Sequence, residues 1–138
     1  MNAAKKPSPV RGRRLSVLIA DDEQDTVTTL AAILEDEGHV VHMVTNGALV
    51  MEAIQRFKPE VCILDIEMPG QSGYSLAREI SKNQERPLLI AISGKWKTQT
   101  DRFLARSVGF EFFFVKPADP ADIIAALEPL RGATPPAA

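Results

Sequence analysis

Five short apolar runs recur along this chain, each followed by apolar residues at helical spacing. That alternation restricts the fold more than any other feature of the sequence. The runs are Leu15–Ala20, His39–Val44, Glu60–Asp65, Pro87–Ser93 and Phe110–Val115. The first helical stretch carries Val27, Leu30, Ala31 and Leu34 and closes at Gly38, a residue suited to ending a helix. The second runs from Gly47 to Phe57, with Val50, Ile54 and Phe57 on one face, and stops before Pro59. The third runs from Gly73 to about Lys82, with Leu76, Ala77 and Ile80 inward. The fourth spans Thr98 to Val108, with Phe103, Leu104 and Val108 apolar, and ends at Gly109. Asp119 or Pro120 opens the last helix, whose core face holds Ile123, Ile124, Leu127 and Leu130. Strands alternating with helices imply a parallel sheet covered on both faces. Right-handed crossovers then leave an open doubly wound sheet as the common solution.

The 138 residues suit one domain with a sizeable core. The single cysteine, Cys62, excludes an internal disulfide and sits in an apolar run, which suits a buried inert thiol. Two histidines and one cysteine make a structural zinc site a poor fit. His39 and His42 read as surface or half-buried strand residues. No apolar run is long enough to span a membrane, and the N-terminus has no apolar core of a secretory signal. A reducing, cytoplasmic location fits these features.

The net charge of −2 hides an asymmetry. Five of the sixteen basic residues (Lys5, Lys6, Arg11, Arg13 and Arg14) stand in the first fourteen positions, which hold no acidic residue. The remainder sets eleven basic against eighteen acidic residues, a charge of −7. A basic arm can touch nucleic acid or anionic lipid. Without an aromatic or helical pattern beside the charges, the preferred reading is a disordered, solubilising leader over residues 1–14. Residues 132–138 read as a flexible tail, leaving residues 15–131 as the domain.

In open α/β sheets the site lies beyond the carboxyl ends of the strands, so those ends carry the functional argument. The first ends in Ala20-Asp21-Asp22-Glu23, the third in Asp65, the fourth in Ser93-Gly94 and the fifth in Lys116-Pro117. Three carboxylates gathered at one edge repel one another unless a cation joins them. Mg²⁺ suits such oxygen ligands and leaves room for a phosphate oxygen. Lys116 can pair with the carboxylates or hold a phosphoryl group as a point charge. Ser93 can donate a hydrogen bond to that group, and an ionised aspartate can be its nucleophile. Each piece alone has a plain alternative. An Asp-Asp pair is often a turn or an N-cap, Asp65 alone could cap, Lys-Pro is an ordinary loop, and Ser-Gly an ordinary turn. Their joint appearance on these strand ends favours phosphoryl transfer to Asp65.

The segments "LIADDE", "ILDIEMPGQSGY", "AISG" and "FVKP" resemble the receiver domain of two-component response regulators, over roughly Leu15 to Arg131. The resemblance implies a flavodoxin-like, five-stranded parallel sheet of order 2-1-3-4-5 with five helices. It implies Asp65 as phospho-acceptor. Asp21 and Asp22, with Asp65 and the backbone carbonyl of Glu67, would then hold Mg²⁺. It also implies Ser93 as the switch hydroxyl, Lys116 as the lysine of the site, and a cis Lys116-Pro117 bond. Phe113 matches the aromatic switch position, although core packing explains it equally well. The implied phosphodonor is a sensor histidine kinase or a histidine phosphotransfer protein. The implied output is a protein target on the face of the fourth helix, fifth strand and fifth helix. "GFEFFFVKP" is similar to receivers attached to hybrid sensor kinases. The expected assembly is a monomer or weak homodimer, with neither membrane nor nucleic acid as partner. The Glu67 side chain could pair with Lys95 or hinder attacking water, and Trp96 is expected near the site mouth. Two alternatives compete: an aspartyl-phosphate hydrolase of the haloacid-dehalogenase type, whose Asp-x-Asp-x-Thr signature is missing its threonine in "DIEMP", and a receiver that acts as a scaffold without phosphorylation.

Overall fold

The computed structural model describes residues 12–94 and 99–132, with the backbone alone at residues 99 and 100. In chain order the elements are β1 (Ser16–Ala20), α1 (Gln24–Asp36), β2 (Val40–Val44), α2 (Val50–Phe57), β3 (Val61–Asp65), α3 (Gly73–Ile80), β4 (Leu88–Ser93), α4 (Gln99–Ser107), β5 (Phe112–Val115) and α5 (Pro120–Arg131). The five strands form one sheet in the order β2-β1-β3-β4-β5, and every pairing is parallel. No helix among the described residues is long and apolar enough to cross a membrane.

The unbroken apolar runs follow from this layering. In β3, Cys62 and Leu64 pack with Leu76, Ala77, Ile80 and Phe110 on one face of the sheet. Val61 and Ile63 pack with Val27, Leu34, Ile123 and Leu127 on the other. Successive side chains point to opposite faces, so a strand covered on both sides has no polar alternate positions. Burying each large aliphatic side chain contributes about 1.5–3 kcal/mol. Cys62 is fully buried, and burial pushes its thiol up to about 12, so it stays protonated and unreactive.

Local chemistry sets the helix starts. The Ser72 side chain accepts from the Ser75 N–H at α3, and Asp119 accepts from the Ala121 N–H at α5, where Pro120 follows as the first residue. Gly73 has a packing reason. A Cβ there would stand 2.8 Å from the Ile66 Cα and 2.9 Å from the Asp65 carbonyl oxygen. Only glycine lets α3 begin this close to the end of β3.

Several boundaries differ from the sequence expectation. Gly47–Leu49 is a 3₁₀ turn rather than the first turn of α2. The second strand starts at Val40, because His39 is buried and its Nδ1 accepts the Leu15 N–H at 3.1 Å. A surface or half-buried reading of His39 is therefore wrong: the ring replaces a backbone acceptor inside the fold. The fifth strand starts at Phe112, since the Phe110 N–H still bonds to the Ala105 carbonyl at the end of α4. Phe103 and Leu104 of α4 point outward, 71% and 47% exposed, and the small Ala105 faces the sheet instead. Gly12 to Arg14, assigned to the leader, are tied to the domain. The Arg13 N–H bonds to the Arg131 carbonyl at 3.0 Å, and Arg14 Nε donates to the Gly38 carbonyl at 2.7 Å. The rest of the leader, from residue 1 to residue 11, and the tail from residue 133 lie outside the described residues.

Candidate functional site

The parallel register carries the strand ends to one rim. Leu64 is aligned with Ala20 of β1, Asp65 with Ile92, and Ser93 with Val115. Lys116, one residue on, donates its backbone N–H to the Ser93 carbonyl at 2.9 Å. Asp21, Asp65 and Ser93 are buried, and Asp22 is exposed. Carboxylate oxygens of Asp21, Asp22 and Asp65 all lie within 4.8 Å of one another. An oxygen-only set of this charge and spacing fits a hard divalent cation, with Mg²⁺ among the candidates.

Lys116 Nζ reaches three carboxylates: Asp21 Oδ2 at 3.0 Å, Glu23 Oε1 at 3.0 Å and Asp65 Oδ2 at 3.1 Å. Nζ donates hydrogen bonds to Glu23 Oε1 and Asp65 Oδ2, while Asp21 Oδ2 is held as an ion pair. Burial pushes the Lys116 pKa down, but its contacts with the Asp21, Glu23 and Asp65 carboxylates outweigh it and the net direction is up. Asp65 is raised as well, above an exposed carboxylate. Burial first, and the charge of Asp21, push it up to about 7, against the lowering effect of Lys116 and of the Glu67 N–H on its Oδ1.

Ser93 Oγ donates to Glu67 Oε2 at 2.6 Å. The Glu67 carboxylate thus turns toward the fourth strand. Tyr74, near the start of α3, is pushed up by burial and then by the charges of Asp101 and Glu67. Lys95 and Trp96, expected at the site mouth, lie outside the described residues. Phe113 is half-buried and packs against the core, with the guanidinium of Arg102 4.8 Å and that of Arg106 5.7 Å from its ring centroid. The Lys116-Pro117 bond is cis.

Of the residues named from sequence, Asp21, Asp22, Asp65 and Lys116 come together in one ion cluster, and Ser93 and Glu67 form a hydrogen-bonded pair beside it. Phe113 stands apart on β5. Glu23 was missed as a partner of Lys116. Its only sequence signal is a third consecutive acidic position after β1.

A strand order of 2-1-3-4-5 with an acidic rim and a lysine after the last strand defines the class, and comparison with known proteins agrees. The family model of the response regulator receiver domain matches residues 17–128, and this chain belongs to that family. A 14.6 kDa protein of Leptolyngbya boryana is 31% identical over 126 residues, covering 89% of this chain and 95% of the relative. PilH of Pseudomonas aeruginosa is 33% identical over 104 residues, 75% of this chain and 86% of PilH. The aerobic respiration control protein ArcA of Escherichia coli K12 is 32% identical over 107 residues, but the match spans only 44% of ArcA. Among solved structures, the BeF3-activated receiver domain of RstA from Klebsiella pneumoniae shares the fold with a TM-score of 0.76 and 24% identity. That match covers 86% of this chain and 99% of the RstA domain. Receiver domains are signalling domains that work with histidine kinases or phosphotransfer proteins. Family membership therefore favours signalling over the hydrolase alternative.

Proposed function

We propose that this chain accepts a phosphoryl group from a sensor histidine kinase or a histidine phosphotransfer protein on Asp65 and thereby changes its affinity for a protein target. The observation that carries this reading is a buried carboxylate, Asp65, held 3.1 Å from the Lys116 ammonium inside an oxygen-only acidic trio. In the transfer, an Asp65 oxygen forms a bond to phosphorus while the bond to the donor imidazole nitrogen breaks. Asp21, Asp22, Asp65 and the Glu67 carbonyl oxygen would hold Mg²⁺, which supplies positive charge against the phosphoryl oxygens. Lys116 adds a fixed positive charge, and its raised pKa keeps it protonated throughout. Ser93 is suited to donate its hydroxyl to a phosphoryl oxygen, being buried at the end of β4 on the same rim. Phe113 would transmit the change to the α4-β5-α5 face, the surface for the downstream partner. The signalling unit is read as residues 15–131 with the attached Arg13 and Arg14, acting in the cytoplasm as a monomer or weak homodimer.

The test is intact mass after incubation with Mg²⁺ and acetyl phosphate, with Asp65→Asn as control. We expect a Mg²⁺-dependent gain of one phosphoryl group in the wild-type chain and none in the variant. A gain that persists in Asp65→Asn would reject Asp65 as acceptor. No gain even from a histidine phosphodonor would favour the scaffold reading.

A further inference from the structure

We infer that Glu67 is a positioning residue that holds the Ser93 hydroxyl in a resting orientation, so that a phosphoryl group on Asp65 must win the hydroxyl proton away from it. The inference rests on the phospho-acceptor reading above and names a regulator within that site.

The argument is one of proton count. A serine hydroxyl has one proton to donate, and an ionised carboxylate can only accept. The Oγ to Oε2 separation of 2.6 Å falls in the range of a charge-assisted O–H···O⁻ bond, stronger than a neutral one. Ser93 is 2% exposed, so water competes weakly for that proton. A phosphoryl oxygen on Asp65 would need the same proton. One proton cannot serve both acceptors, so the resting bond breaks when the new one forms. The geometry of Glu67 follows from its place in the chain. It stands two residues after Asp65, and its own N–H donates to Asp65 Oδ1 at 3.2 Å. The turn that presents Asp65 thus also sets the reach of the competing carboxylate. Anionic phosphoryl oxygens would in turn repel Glu67 and help release the hydroxyl.

A hydrogen bond to a charged group changes an equilibrium roughly ten- to a hundredfold, and that is the penalty Glu67 sets on the switched state. The probe is beryllofluoride with Mg²⁺, a phosphoryl mimic, titrated against the wild-type chain, Glu67→Ala, Ser93→Ala and the double variant. We expect Glu67→Ala to tighten binding about tenfold or more in the Ser93 background, and less than about threefold when Ser93 is alanine. An equal gain in both backgrounds would mean that Glu67 simply repels the anion, and would overturn the latch. So would the absence of any gain. Glu67→Asn, whose shorter arm removes the charge and the reach, should act in the same direction and guards against a misfolded alanine variant.

A second readout needs neither metal nor mimic. Three-bond couplings at Ser93 in the metal-free chain should report one side-chain rotamer in the wild type and averaging in Glu67→Ala. An unchanged rotamer would overturn the inference. If the wild-type chain fails to bind beryllofluoride at all, the phospho-acceptor reading fails, while the couplings still decide whether Glu67 holds the hydroxyl.

Discussion

The two edges of the sheet solve the problem of charge in opposite ways. At the edge where the strands begin, charges meet opposite charges or backbone groups, although the buried Arg131 Nη1 has only Glu128 Oε2 at 3.9 Å beside it. Arg13 pairs with Glu60 at 2.6 Å, and the other Glu60 oxygen accepts the Ser16 N–H. Arg131, buried at the end of α5, donates from Nε to the Arg13 carbonyl and accepts the Arg13 N–H on its own carbonyl. At the edge where the strands end, Lys116 faces Asp21, Glu23 and Asp65 together, Asp22 joins Asp21 and Asp65 in the acidic trio, and Glu67 stands beside them on Ser93. The first edge closes the fold. The second keeps unspent repulsion that a divalent cation would relieve. Stability and reactivity are thus drawn from different ends of the same strands.

Substitutions at the two edges should therefore have opposite signs. The largest effect is expected from Arg131→Ala. It removes a buried stem and leaves the Arg13 carbonyl without its Nε donor, at a cost of about 1–3 kcal/mol. Chemical denaturation would measure this, with no change in phosphoryl uptake at a temperature where the variant is folded. Asp65→Asn should do the reverse and stabilise the metal-free chain by about 1–2 kcal/mol, because it removes a buried charge facing Asp21. A destabilised Asp65→Asn chain would remove the idea that this edge stores repulsion.

The pH dependence sharpens the contrast. Asp65 is raised from 3.8 to about 7 in the folded chain, so between those values the folded state holds a proton that the unfolded chain has lost. The contribution of Asp65 is therefore fully present below about pH 4 and is lost as pH rises toward 7. Denaturation in chelator should show this component in the wild type and lack it in Asp65→Asn. The smallest effect is expected from Arg13→Ala. The Arg13–Glu60 pair is about a quarter exposed on each side, and its loss should cost no more than about 1 kcal/mol, less at high salt.

Much of this was legible in the sequence for a definite reason. Runs such as Val61–Leu64, apolar at every position and bounded by turns, read as strands covered twice, and parallel pairing gathers their ends on one rim. That placed Asp21, Asp22, Asp65, Ser93 and Lys116 together without any knowledge of side-chain contacts. What escaped depended on side-chain direction. Phe103 and Leu104 are adjacent in α4, and the helix turns them both away from the sheet. His39 looked like a surface residue, because nothing in a one-dimensional pattern shows a ring standing in for a carbonyl. Glu23 meets Lys116 across 93 positions, through the way α1 leaves the rim. The bond from Ser93 to Glu67 likewise spans 26 positions and needs two loop conformations at once.

The solitary thiol of Cys62 has a practical corollary. It is sealed in β3 and carries a pKa of about 12, so thiol-reactive dyes and spin labels should pass it by. No other cysteine competes. A cysteine introduced at Phe103 or Leu104, on the outward side of α4, would be a single addressable handle in an otherwise native background. Movement of that helix could then be followed by spectroscopy without first engineering the molecule's own sulfur away.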